Sequence, residues 1–482
     1  MQTRKQIHDL FSGTGARRLP LTEILPMKNT PQEVFQKFHA FGTPGFALES
    51  DEPDAFAYVG VRFEKRITLK GNVLTIEDAT RAQTTSTVVS DPKNALERLL
   101  LDYKTPTLYP YFCGGLAGYF AYDFIQYTEP TLELRTGNTN AMELFLVNDL
   151  IVFDFQNEQM ILIAGIVKDD PGRGYDEAVL RIEAMRQTLD GPQTKAHPPL
   201  RLRQPLRPAC PAIRYEAMVR QAKRYIEQGE IFQVVLSNPC TALADGSLFS
   251  VYETLRQTNP GPYLFYFAGQ DIEMAGSSPE TLVRVDHDHV ATFPLAGTCK
   301  RAKEPHEDER LMRDLLRDEK ELAEHRMLVD LGRNDLGKVC RCGSVDVTRT
   351  LDVVKCAQVM HLSSTITGVL APGKTALDAL FSTLPAGTLS GAPKIRACEI
   401  IDELESAPRG VYGGAFGFMD FSGRLDFCIA IRFATLQNGV VRVQSGAGIV
   451  FDSIPEHEAQ ECQNKARAIV QALEGESHAF AH

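Results

Sequence analysis

Strand-like and helix-like stretches follow one another here without the regular strand–helix–strand alternation that a parallel sheet requires. That irregularity constrains the fold more than any other feature and points to an α+β architecture. In the first half, residues 56–61, 67–76 and 144–155 read as strands, with helices near 31–41 and 175–189. Further on, Tyr215, Met218, Val219, Ala222, Tyr225 and Ile226 fall at helical spacing, and Gly229 ends the run. Residues 231–237 follow as a strand. Its period of two places Phe232, Val234 and Leu236 on one face, and Gln233 and Ser237 on the other. A long helix is expected over 306–331 and a closing one over 455–473, the latter started by a Ser453–Glu456 capping box.

Between the halves, residues 189–213 are rich in proline and lack any period. They divide the chain into an N-terminal domain (1–189), a linker (190–212) and a larger C-terminal region (213–482). Charged residues at 23% and apolar residues at 43% exclude a disordered chain, a collagen and a coiled-coil rod. The net charge of −11 argues against nucleic acid, whose binders need a basic face, but leaves room for a local basic pocket. The longest apolar run, 160–167, is far short of a membrane span. Ten scattered cysteines without a CxxC pair fit reduced, mostly buried thiols. A cytoplasmic protein without a membrane partner is therefore expected.

Two predicted helices each carry carboxylates three residues apart: Glu321 and Glu324, then Glu458 and Glu461, with Lys465 one turn beyond. Like charges at this spacing repel, so either pair alone reads as a solvated face. Both pairs together would suit magnesium, which takes oxygen ligands and keeps some of its water. Glycine-rich segments recur at 276–283, 294–298, 386–394, 412–417 and 445–450, and none matches a Walker loop or a dinucleotide fingerprint. Each is either a tight turn or a place where backbone N–H groups approach an anion. Arg432, set among apolar neighbours in CIAIRFATL, needs an anionic partner. His361 in VMHLSS has the setting of a core histidine, and Glu280 after Pro279 is a general acid if burial raises its pKa. No serine-hydrolase, zinc-protease or catalytic-cysteine signature is present. The residues alone describe an acidic enzyme that binds a small anion with magnesium.

The segments GEIFQVVLS, NPGPYLFYF, GSSPETLV, PLAGT, EHRMLVDLGRNDLG, VMHL, GTLSGAPK, YGGAFG, AIRFA, QSGAGIV and DSIPEHEAQECQNKARA carry a specific resemblance. They resemble, in order, the anthranilate-forming branch of the chorismate-utilizing enzymes. FALES and GGLAGYFAYD extend the likeness more loosely into the first half. The resemblance implies a large sandwich of mainly antiparallel sheets, with helices outside and the active site in a cleft. It implies that chorismate and ammonia become anthranilate and pyruvate in tryptophan biosynthesis, the ammonia coming from a separate glutamine amidotransferase subunit.

Position by position, the resemblance makes Glu324 and Glu461 magnesium ligands, with Glu321 and Glu458 behind them. Gly297, Thr298, Tyr412, Arg432, Lys465 and the backbone of Gly446, Ala447 and Gly448 would hold substrate. Glu280 would protonate the departing C4 hydroxyl while ammonia attacks C2, with His361 and Thr388 beside the ring. Relatives that add water carry a lysine where this chain has Gln233, and many aminodeoxychorismate synthases carry a nucleophilic lysine where it has Ala296. Both differences favour ammonia at C2. The rivals are an aminodeoxychorismate synthase and a catalytically silent chorismate- or tryptophan-binding paralogue.

The resemblance also gives the N-terminal domain a regulatory character. Leu48, Glu49 and Ser50 with Asn259, Pro262, Tyr263 and Leu264 would form a pocket for tryptophan as feedback inhibitor. Gly261 and Leu264 depart from the serine and methionine usual there. The plainer reading of FALES is a strand end whose Glu49 is solvated.

Overall fold

Two long strands, Phe56–Lys70 and Met142–Asp154, pair along most of their length and link two layers of sheet. The register between them slips near Gly60, Arg62 and Phe63, and such bulges bend a ladder. The first half of Met142–Asp154 pairs with Gly115–Phe120 and the second half with Gln159–Val167. The computed structural model describes residues 1–168, 171–192, 196–302, 304–355 and 359–479.

One layer continues from Phe56–Lys70 through Gly45–Glu49, Tyr263–Ala268, Glu273–Ser278, Phe433–Gln437 and Val440–Ile449 to Gln233–Asp245. The other runs from Gly115–Phe120 through Ala415–Asp420, Leu425–Ile429, Thr281–Asp286 and His289–Thr292 to Val359–Val369. Leu295–Lys300 and Asp346–Lys355 flank that last strand. Every one of these pairings is antiparallel, which confirms the expected α+β sandwich.

Aromatic rings lock the layers together: Phe265 stacks on Phe416 at 4.3 Å and Phe267 on Phe145 at 4.9 Å. A second core lies on the outer face of the first layer. There Ile182, Leu255, Ile469 and Leu473 of the covering helices join Leu162, Ala275 and Val443 of the strands. Among the described residues no helix is long and apolar enough to cross a membrane.

Several local readings are corrected. Residues 67–76 form a hairpin, because Lys70 pairs with Val73 and Gly71 adopts φ +53° in the two-residue turn. The helix expected over 306–331 is two, Pro305–Leu315 and Glu319–Gly337, the second capped by Asp318, whose carboxylate accepts from the N–H groups of Lys320 and Glu321. Ser453 forms no box with Glu456. Its hydroxyl oxygen accepts from the Val450 N–H at 3.1 Å, and the first helical N–H groups bond the Ile454 carbonyl. Phe232 is 72% exposed, and its strand begins at Gln233.

The proline-rich run is tied down by two short strands, Arg201–Leu202 and Arg207–Pro208, both paired with Gln233–Asp245. Strands from either side of it share both layers, joined where Gly45–Glu49 pairs with Tyr263–Ala268 and Gly115–Phe120 with Ala415–Asp420. Residues 213–482 alone would bare the edges of Tyr263–Ala268 and Ala415–Asp420, which Gly45–Glu49 and Gly115–Phe120 cover in the whole chain. That fragment is expected to aggregate or unfold without cooperativity. A monomeric fragment with a sharp melting transition would contradict this.

Candidate active site

The carboxylates that the sequence marks in pairs meet in space. Glu321 and Glu324 stand in the first turns of Glu319–Gly337, and Glu458 and Glu461 in those of Pro455–Ala479. Burial is the first cause holding Glu321, Glu324 and Glu458 above the usual carboxylate range. Repulsion adds to it: the charge of Glu461 raises Glu321 and Glu324 across the two helices and Glu458 within its own. Lys465 opposes this: its Nζ lies 2.6 Å from Glu461 and its charge lowers the other three. A solvated acidic face does not describe Glu321, Glu324 and Glu458, while Glu461 is exposed.

Small residues make room for it. A Cβ on Gly448 would sit 2.5 Å from the Gln233 amide nitrogen and 3.7 Å from Glu324 Oε1. One on Gly297, at φ +64°, would sit 3.2 Å from Glu321 Oε2. Gln233 Nε2 donates to Glu324 Oε1 at 3.3 Å, while Gln233 Oε1 is buried without a hydrogen-bond partner among the described residues.

The donor set, carboxylate oxygens on two helices crowded against their own repulsion, fits a hard divalent cation. Among the described residues no three acidic, histidine or cysteine side chains converge on one point. One or two carboxylates, with substrate oxygens and water, are what magnesium usually takes.

Glu280 sits at the turn between Glu273–Ser278 and Thr281–Asp286 and is 7% exposed. Its Oε1 accepts from Thr388 Oγ1 at 3.3 Å and from the Leu295 N–H at 3.4 Å. Burial pushes its pKa up to about 7, against the opposing pull of those two bonds and of the Lys465 and Arg432 charges. Arg432 adopts φ +55°, unusual for a residue with a side chain. Its guanidinium donates to the Lys465 carbonyl, and burial lowers its pKa while Tyr412, Glu461 and Glu280 raise it. This arginine therefore ties the acid to the carboxylate cluster.

His361 is half-buried, with Nδ1 3.2 Å from the Gly297 carbonyl. Burial keeps it below the ordinary histidine value, helped by Arg432 and Lys465, so its ring is neutral at pH 7. Thr298 is opposite His361 in the ladder, and its side chain lies outside the described residues. Tyr412 is buried, with Arg409 5.7 Å over its ring. Gly446 and Ala447 pair with Ser237 and Leu236, and the Ala447 side chain points into a core with Val234, leaving only its backbone to face a ligand.

The seven residues expected to bind tryptophan fall around the pairing of Gly45–Glu49 with Tyr263–Ala268. Leu48 and Tyr263 lie in the core between the layers, and Leu264 in the core beneath the helices. Strand neighbours face opposite sides, so this split is built into the ladder. Glu49 is buried, not solvated: it accepts from Gln32 at 2.6 Å, from the Tyr252 hydroxyl and from Arg256 Nε at 3.1 Å. Tyr263 turns its hydroxyl to Asp426 at 2.5 Å. Ser50, Asn259 and Pro262 are half-buried where the chain leaves this strand pair.

Sequence reasoning missed the frame beneath the site. Arg409 donates to Glu405 at 2.6 Å, to the Leu389 carbonyl at 2.6 Å and to the Val235 carbonyl at 2.7 Å. Glu405 in turn accepts from the Ser237 N–H at 2.7 Å. The pair thereby clamps the strand of Gln233 to the turn of Thr388. The one available signal was the four-residue spacing of Glu405 and Arg409 in ESAPRG.

The chain is similar to known proteins along nearly its whole length. The chain is 42% identical over 460 residues to anthranilate synthase component 1 of Thermus thermophilus, covering 92% of this chain and 95% of that one. It is 38% identical over 460 residues to the protein of that name in Methanothermobacter thermautotrophicus, covering 94% of each. The crystal structure of anthranilate synthase component I from Streptococcus pneumoniae superposes with a TM-score of 0.76 at 36% identity, over 88% of this chain and 93% of that one. MenF, the menaquinone-specific isochorismate synthase of Escherichia coli, shares the fold with a TM-score of 0.72 at 19% identity, over 98% of this chain and all of that one. Residues 45–471 match the chorismate binding enzyme family, and with relatives this similar along nearly its whole length the chain belongs to that family.

Proposed function

We propose that this chain is a lyase, the synthase component that turns chorismate and ammonia into anthranilate and pyruvate with magnesium. Its near full-length similarity to proteins named anthranilate synthase component 1 carries the reading. The site agrees with it. Gln233 cannot serve as a base for water, and Ala296, 8% exposed opposite Leu362, cannot bond the ring. Arg432, Lys465 and Tyr412, with the backbone of Gly446 and Gly448, bind and orient the carboxylates of chorismate. Glu280, held protonated by burial up to about pH 7, donates to the departing C4 hydroxyl while Thr388 fixes its orientation. His361, neutral, is available to move a proton in the later loss of pyruvate. Glu324 and Glu461, backed by Glu321 and Glu458, would hold the magnesium, which supplies positive charge to the ring carboxylate.

The ammonia comes from a separate glutamine amidotransferase subunit, and we place the pair in the cytoplasm. Tryptophan regulation belongs to the same proposal. A ligand ammonium reaching Glu49 would have to share it with Arg256, whose partly exposed side chain can swing away. Inhibition then follows from unequal affinity for two states.

Incubating the pure chain with chorismate, magnesium and ammonium salt is expected to yield fluorescent anthranilate, and less of it in millimolar tryptophan at subsaturating chorismate. Accumulation of 4-amino-4-deoxychorismate or no turnover would overturn the main reading, and undiminished output would overturn the tryptophan reading alone.

Glu280 has a folded-state pKa of about 7 against an ordinary 4.5. Its contribution to stability is thus complete below the lower value and lost as pH rises through the upper. Glu280→Gln should be more stable than wild type above pH 7, by up to roughly 3 kcal/mol, while kcat falls on the order of 10²-fold or more. A variant that keeps full activity, or melts earlier than wild type at pH 8, would contradict the assignment.

A further inference from the structure

Glu280 gives up a proton in every turnover and has to regain one, yet its carboxyl is enclosed. The cavity beside it is lined by Glu280, Thr388, Asp335 and Thr383, among others. A larger cleft, lined by Ser382, Leu384, Lys338 and Lys394, meets the same segment from outside. Lys394 Nζ donates to Asp335 Oδ2 at 2.7 Å and to the Thr383 carbonyl at 3.1 Å. The cleft's lysine is therefore bonded to two residues of the inner cavity, and the ion pair is the partition between the two spaces.

Both partners are buried, and a buried pair is a poor device for stability alone. Asp335 Oδ1 is buried without a hydrogen-bond partner among the described residues, the Lys338 ammonium standing 3.7 Å away. Burial raises the Asp335 pKa, and Lys394 and then Lys338 draw it back. On the far side, Arg432 and Lys465 are the charges that face Glu280.

We propose that the Asp335–Lys394 pair is the proton inlet of Glu280, an assignment that rests on the reading of Glu280 as the general acid. When the C4–O bond breaks, the Glu280 proton leaves with the hydroxyl as water. The carboxylate then takes a proton, through water in the cavity, from the Lys394 ammonium, which Asp335 and the Thr383 carbonyl hold on the partition. Lys394 recovers its proton from solvent in the outer cleft. The attacking ammonia releases one proton as its nitrogen becomes the ring amine, so none is gained or lost overall. Asp335 and Lys394 are positioning residues, acting on the substrate through Glu280.

The test compares wild type with Lys394→Met and with the double variant Asp335→Leu/Lys394→Met, since an apolar replacement of a buried pair usually folds. Anthranilate formation is followed at fixed ammonium concentration, in water and in D2O, with and without imidazole buffer. The inlet predicts a kcat lowered on the order of 10-fold or more, an unchanged KM for chorismate and a larger solvent isotope effect. Imidazolium, as a diffusible acid, should restore part of the loss. Wild-type kcat in a folded variant would overturn the inlet, as would a loss that imidazole does not relieve and D2O does not deepen. Absence of anthranilate from wild type itself would instead overturn the reading on which the inlet rests.

Discussion

Mutual repulsion among Glu321, Glu324, Glu458 and Glu461 is the constraint around which the site is built. Two helices bring their acidic ends toward one site, where the Glu461 charge raises the pKa of Glu321 and Glu324 on the other helix. What holds them is apolar burial further along: Leu328 and Leu336 on one helix, Ile469, Ala472 and Leu473 on the other. Each fully buried aliphatic side chain contributes about 1.5–3 kcal/mol, enough for a few of them to offset several crowded carboxylates. Lys465, paired with Glu461, and Arg432, which feels the Glu461 and Glu280 charges, relieve part of the remainder.

The same cations act on Glu280, and this couples the two ends of the site. Desolvation raises the acid's pKa and the cations lower it, leaving a group that is proton-loaded near neutrality. The Glu405–Arg409 clamp fixes the frame in which that balance holds, because it spans the strand of Gln233 and the turn of Thr388. Arg409 also lies over the rings of Tyr122 and Tyr412, so one cation fixes backbone and aromatic wall together.

Much of this was legible in the sequence, and the rest was hidden for physical reasons. Spacing alone placed Glu321 with Glu324 and Glu458 with Glu461, because three residues on a helix is a neighbour distance. That the two pairs meet depends on packing, which no local pattern encodes. The break at Asp318 was concealed by unbroken helix-forming residues on both sides, and the hairpin at Gly71 by β-branched residues flanking a single glycine. The proline-rich run suggested a free linker, yet its backbone pairs with the central strand, and the two halves share both sheets. Strand alternation sends Leu48 and Tyr263 into one core and Leu264 into the other. Glu405–Arg409 went unread because exposed ion pairs four residues apart are common, and Asp335–Lys394 because only the fold brings residues 59 apart together; burial makes both consequential.

If the cluster is held against its own repulsion to receive a cation, that stored repulsion is measurable as stability. Thermal unfolding of wild type and of Glu324→Ala/Glu461→Ala, each with and without millimolar magnesium, separates the terms. The account predicts that magnesium raises the wild-type melting temperature and leaves the double variant unmoved, since only a folded-state site can be stabilised by its ligand. It also predicts that without magnesium the variant melts at or above the wild-type temperature. A variant that magnesium stabilises as much as wild type, or one that melts well below wild type without it, would contradict the account.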